Sequence, residues 1–183
     1  MSLGLPAGPG PWTVDDIPDD GHRYELVDGM LIVVPSAEPR HHGVITQLTR
    51  LVGGAVGWSR VQGQAGVTFR PGDYREPDLL VLRDGFDVWN TKRVAGSDAV
   101  LLVEVVSPST VRNDKVFKLN QYAAEGIGHY WIVETTPALT LTAYVLPEGA
   151  ETYVEAGRWV EPATVEIEEP FAFRFDLSDL RGA

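Results

Sequence analysis

The chain contains no cysteine, which excludes disulfides, thiolate metal centres and thiol nucleophiles. It has only three lysines (Lys92, Lys115 and Lys118) and a net charge of −11, which argues against a tight, non-specific coat on nucleic acid. Any nucleic-acid contact has to be local. No apolar run approaches the length needed to span a bilayer. The first eleven residues are rich in Gly and Pro and lack a basic stretch followed by an apolar one, so they read as a disordered lead-in and not as a signal peptide. Residues 12–183 then read as one domain, with enough chain for a substantial core. Its expected location is cytoplasmic, with no membrane partner. There is no Gly-rich phosphate loop, Ser-His-Asp series or zinc pattern.

Two apolar runs each carry a single acid: Pro77-Asp78-Leu79-Leu80-Val81-Leu82 and Val100-Leu101-Leu102-Val103-Glu104-Val105-Val106. Such runs read as buried strands. A buried carboxylate costs several kcal/mol unless it is paired or bound to a cation. Two of them on neighbouring strands, with Lys118 close behind, point to a divalent-metal site with a cationic helper, the equipment for hydrolysing a phosphodiester.

The surrounding pattern mixes helices and strands. Thr13 and Asp16 can box a short helical turn. Arg23 to Val27 and Met30 to Val34 flank Asp28-Gly29, a hairpin signal. A helix from about Arg40 carries Val44, Leu48 and Leu51 as its stripe, and Gly53-Gly54 weakens its end. Strands follow at 61–69, 78–82 and 99–106, where Pro108-Ser109-Thr110 breaks the last. A second helix at 111–125 has the apolar stripe Val116, Leu119 and Ala123, and Gly126 and Gly128 stop it. Tyr130 to Val133 is a further buried strand, and residues 139–146, 152–155 and 165–175 form a C-terminal meander. The order predicts an α/β (α+β) domain with a central mixed β-sheet flanked by helices.

These phrases together resemble the Uma2 (DUF820) family, grouped with the restriction-endonuclease-like nucleases of the PD-(D/E)xK superfamily. The resemblance rests on Arg23-Tyr24-Glu25-Leu26-Val27-Asp28-Gly29, His41 ahead of Val44 and Leu48, and Pro77-Asp78. It continues through Val103-Glu104-Val105-Val106-Ser107-Pro108-Ser109-Thr110, Asp114 with Lys118 and Tyr122, and His129-Tyr130-Trp131-Ile132-Val133. It implies a restriction-endonuclease-like core with Asp78 and Glu104 as metal ligands, Glu25 as an additional catalytic acid and Lys118 as the catalytic cation. Valine occupies position 106, where the superfamily pattern has its lysine, so the resemblance draws that lysine from the following helix, as Lys118. The implied activity is Mg²⁺- or Mn²⁺-dependent endonucleolytic hydrolysis of DNA, since hard carboxylate oxygens suit those ions. Cutting both strands calls for two sites, so a homodimer through the apolar C-terminal strands is a candidate assembly.

Each residue also has a simpler reading. Asp78 follows a proline and could be a turn former. Glu104 could be one half of a salt bridge with Lys118. Glu25 could face solvent. Asp114 could open the second helix or pair with Lys118, and Lys115 could be solvated or touch phosphate. His41 and His42 point about 100° apart on a helix, so they do not clamp one metal, although one of them could neighbour the site. His129 reads as structural, and Tyr130, Trp131 and Phe173 as core. The alternatives are therefore a nuclease-fold protein that binds nucleic acid or a protein without cutting, and a β-rich interaction domain. Specificity falls to loops such as residues 83–96.

Overall fold

A computed structural model of the chain describes residues 10–34, 38–106 and 111–182, with 111–115 in backbone only. Most of the lead-in, the Pro108-Ser109-Thr110 break, and the side chains of Asp114 and Lys115 lie outside the described residues. Thr13 and Asp16 do box a 3-10 turn, Val14–Asp16: the Thr13 N–H and Oγ1–H donate to Asp16 Oδ2 at 2.7 and 2.9 Å.

The hairpin forms as its turn residues dictate. Strands β1 (Arg23–Val27) and β2 (Met30–Val34) pair antiparallel, Glu25 opposite Ile32. Asp28 and Gly29 between them adopt φ of 46° and 74°, the left-handed values a type I′ turn requires. Helix α1 (Pro39–Val56) opens on Pro39, whose missing N–H costs nothing in the first turn, and buries Val44, Ile45, Leu48 and Val52. Leu51 is only partly buried. Gly53-Gly54 does not end the helix. A Cβ on Gly53 would come 2.9 Å from the Trp58 ring, so glycine is there to let the indole approach.

The stretch expected as one strand at 61–69 is two strands in different sheets, β3 (Val61–Gly63) and β4 (Val67–Arg70). Gln64 turns the chain with φ of 52°. The Pro71-Gly72 turn then leads into an unforeseen strand, β5 (Asp73–Arg75), which pairs with both β4 and β1. After β6 (Leu79–Leu82) and the short β7 (Val94–Ala95) come β8 (Ala99–Val106), helix α2 (Val111–Ala124) and β9 (His129–Glu134). The meander contains β10 (Thr140–Val145), β11 (Val154–Val160), β12 (Thr164–Ile167) and β13 (Phe173–Asp176).

The larger sheet has six strands in the order β11-β10-β9-β8-β6-β3, and is mixed because β8 and β9 run parallel. A five-stranded sheet, β2-β1-β5-β4-β7, and the two-stranded β12-β13 ribbon complete the fold. Strand alternation assigns the two faces of the larger sheet. Leu79, Val81, Leu101, Val103 and Val105 pack with α1 and the β12-β13 ribbon, whereas Leu80, Leu82 and Leu102 pack with Tyr122 of α2 and Val67 of β4. Glu104 continues the second set, so it projects toward α2. Each large apolar side chain buried here contributes about 1.5–3 kcal/mol, enough collectively to offset the burial of one acid among them.

The face that α2 buries differs from the expected stripe. Val116 is 61% exposed and Leu119 only partly buried, whereas Tyr122 is fully buried and Ala123 nearly so. Tyr122 packs against Phe69 and Tyr130, with ring centroids 5.8 and 5.2 Å away. Its hydroxyl and the Lys118 ammonium find acids on the sheets, and those contacts set the helix rotation in place of the weaker apolar periodicity. Among the described residues no helix is long and apolar enough to cross a membrane.

Candidate active site

The β6–β8 pair brings the two acids together. In its antiparallel register Leu79 lies opposite Val103, so one step further Asp78 lies opposite Glu104. Asp78 Oδ2 accepts the Val105 backbone N–H at 2.8 Å and lies 3.0 Å from His41 Nε2. Asp78 is therefore more than a turn former: it ties β6 to β8 and to the first turn of α1. Burial lowers the His41 pKa, but the hydrogen bond and charge of Asp78, with help from the Val105 backbone and Glu104, leave it above the ordinary imidazole value.

Glu104 Oε1 accepts two hydrogen bonds from α2, from Lys118 Nζ at 2.8 Å and Tyr122 OH at 3.0 Å. The i, i+4 spacing puts both donors on one helix face. Desolvation pushes the Glu104 carboxyl up to about 7. Lys118 opposes that shift, and the Asp78 and Glu25 carboxylates reinforce it. Burial would depress the Lys118 ammonium, but the charges of Glu104 and Glu25 outweigh it and hold the group above an ordinary lysine. Desolvation, then the Glu104 charge, raises the Tyr122 phenol well above its usual value.

Glu25 comes from β1, on the other sheet. It is buried, and its two oxygens are engaged separately: Oε1 by Lys118 Nζ at 3.1 Å, Oε2 by Arg75 Nη1 at 2.9 Å. Arg75 is itself buried, donates Nε and Nη2 to Gln121 Oε1 at 2.8 and 2.6 Å, and lies 5.3 Å beneath the Phe117 ring. The sequence-predicted residues Glu25, Asp78, Glu104 and Lys118 thus converge, with His41 beside them and His42 exposed. His129 and Trp131 lie on β9 and do not join the cluster. Arg75 and Gln121 went unrecognised; the available signal was Arg75 three residues ahead of Asp78, leading into the same acid-bearing strand.

No three His, Asp or Glu side chains among the described residues form a ready-made metal cage. The donors that fit a cation are two. Asp78 Oδ1 and Glu104 Oε2 accept no hydrogen bond among the described residues, and the mutual repulsion felt at Glu104 is what a cation relieves. Hard oxygens of this kind suit Mg²⁺ or Mn²⁺, with water or substrate completing the shell. The two Glu25 oxygens are engaged by Lys118 and Arg75.

Asp78, at the entrance to β6, and Glu104, on β8, thus stand side by side in a mixed sheet, with Lys118 of the following helix bonded to Glu104. The Uma2 family model, described as "Putative restriction endonuclease", matches residues 13–178, and the chain belongs to that family. The crystal structure of a protein from Anabaena variabilis, described as "a putative nuclease belonging to DUF820", matches with a TM-score of 0.69 and 18% identity. The match covers 93% of this chain and 98% of that one. A search of curated proteins found no match. The family match indicates a nuclease, and the structural match shows a shared fold.

Proposed function

We propose that this chain is a Mg²⁺- or Mn²⁺-dependent endonuclease that hydrolyses DNA phosphodiester bonds at Asp78, Glu104 and Lys118. The observation that carries this reading is Lys118 Nζ, set 2.8 Å from Glu104 and 3.1 Å from Glu25 beside a second acid with an uncommitted oxygen. A helix-borne cation thereby serves where Val106 leaves β8 without one.

Asp78 and Glu104 would hold the metal. When bound, it supplies Lewis-acid stabilisation of phosphate charge and a water of lowered pKa. Lys118 stays protonated at neutral pH, so it donates hydrogen bonds to a phosphate oxygen or the attacking water and does not act as a base. Glu25 and Arg75 fix the ammonium. His41 and the Val105 N–H hold one Asp78 oxygen and leave the other free to ligate. The substrate contact is local, in keeping with the net charge of −11, and the chain acts in the cytoplasm.

Incubating the protein with circular single-stranded DNA, circular duplex DNA and RNA of the same sequence tests substrate class and mode of attack. Linear or nicked DNA should appear with Mg²⁺ or Mn²⁺ and not with EDTA, and RNA should stay intact. Metal-induced thermal stabilisation without cleavage of any of the three would favour a non-cleaving nucleic-acid-binding role.

A further inference from the structure

We propose that β2 is the pairing edge of a symmetric homodimer, in which two copies join their five-stranded sheets antiparallel through residues Met30–Val34. Open sheet edges template further strands, and proteins guard them with shortness, charge, proline or bulges. Three edges of the two larger sheets carry such guards. β3 has three residues and β7 two. β11 carries Glu155 and Arg158 and has a register shift against β10. β2 has none: its five residues, Met-Leu-Ile-Val-Val, are uncharged, and its pairing with β1 runs without a shift. Met30, Ile32 and Val33 are 61%, 43% and 39% exposed.

The second copy is the occupant because the strand is complementary to itself. A two-fold axis through Ile32 sets Met30 against Val34, Leu31 against Val33, and Ile32 against its own counterpart, so every cross-strand pair is apolar. An uncharged seam also lets two copies of a chain with net charge −11 meet without opposing like charges. The C-terminal β11, with its charges and its shift, is the poorer edge.

The register gives the dimer a functional geometry. Glu25 lies opposite Ile32, so the two-fold axis generates a row Glu25, Ile32, Ile32, Glu25 across one face of a continuous ten-stranded sheet built from two five-stranded ones. The two β1 strands then stand three strand spacings apart, about 14 Å. That arrangement presents two sites on the same side, as cutting both strands of a duplex requires. This consequence rests on the nuclease reading; the interface does not.

Sedimentation equilibrium and thiol cross-linking test the interface independently of cleavage. Wild type should sediment at twice the 20.0 kDa chain mass, and Ile32→Lys at the monomer mass with an unchanged circular dichroism spectrum. The chain lacks cysteine, so Ile32→Cys introduces a single thiol at the two-fold axis, within disulfide reach of its counterpart. It should oxidise to a covalent dimer at least about tenfold faster than Val154→Cys on the β11 edge. If Ile32→Lys fails to fold, the cross-linking rates still decide. A monomeric wild type at about 100 μM, or equal cross-linking rates for the two thiols, overturns the proposal.

Discussion

Opposed forces act on Glu104. Burial favours its protonated form, Lys118 the ionised one, and the Asp78 and Glu25 carboxylates side with burial, leaving the group at about 7. A folded-state value raised above the unfolded carboxyl means that the folded protein binds the proton more tightly. The associated stability is full below the unfolded value and is lost as pH rises through 7. Metal-free wild type should therefore lose stability between about pH 5 and 8 relative to Glu104→Gln, whose neutral amide does not titrate. At pH 8 the variant should be the more stable, by on the order of 1–3 kcal/mol, and Mn²⁺ should narrow or reverse the gap. A variant melting lower than metal-free wild type at pH 8 would show that the Lys118 ion pair outweighs desolvation. Lys118→Met, in contrast, leaves Glu25 and Glu104 buried without the cation they share, and should cost about 3–5 kcal/mol in urea denaturation. The four clustered residues were legible in the sequence because each acid or cation broke an apolar run or matched a family phrase. Arg75 was not: an arginine beside Glu76 and Pro77 looks solvated until its partner strand, fifty residues away in the chain, supplies Glu25.

Among the elements, the site depends on how the strands lie across two sheets. β6 and β8 place Asp78 against Glu104, whereas β1 and β5 bring Glu25 and Arg75 from the second sheet to the far side of Lys118. The hairpin, the central strands and both helices could be read from turn residues and apolar runs. The division of 61–69 into two strands could not, because it depends on a close approach between elements that periodicity does not register. A Cβ on Gly66 would overlap the Tyr74 hydroxyl, which bonds Glu76 at 2.9 Å. Gly66→Ala should thus displace Tyr74 and loosen strand β5, which carries Arg75, destabilising the protein by about 1–3 kcal/mol. Unchanged thermal stability would mean that the Tyr74 ring yields freely. The rotation of α2 was also missed, for a different reason: hydrogen bonds from Lys118 and Tyr122 to buried acids prevailed over a stripe that leaves Val116 in solvent.

For the whole molecule, the governing quantity is a net charge of −11 on 183 residues. A duplex approaching such a surface is repelled except where lysine, arginine or bound metal reverses the local sign. Each phosphate neutralised contributes about −0.9 to the slope of log affinity against log salt. Duplex binding by wild type in EDTA should therefore be weak, with a slope no steeper than about −3; a much steeper slope would reveal an extended basic surface. An acidic chain can still act as a nuclease if its metal centre supplies the positive charge, and this is the account's central claim. Its most direct test is the rate of supercoiled-plasmid nicking in Mg²⁺ or Mn²⁺ for wild type, Asp78→Asn, Glu104→Gln and Lys118→Ala. Wild type should nick the plasmid, EDTA should stop it, and each substitution should slow it by about a hundredfold or more. Nicking that persists at the wild-type rate in the variants, or a wild type that stays inert with either metal, would contradict the assignment.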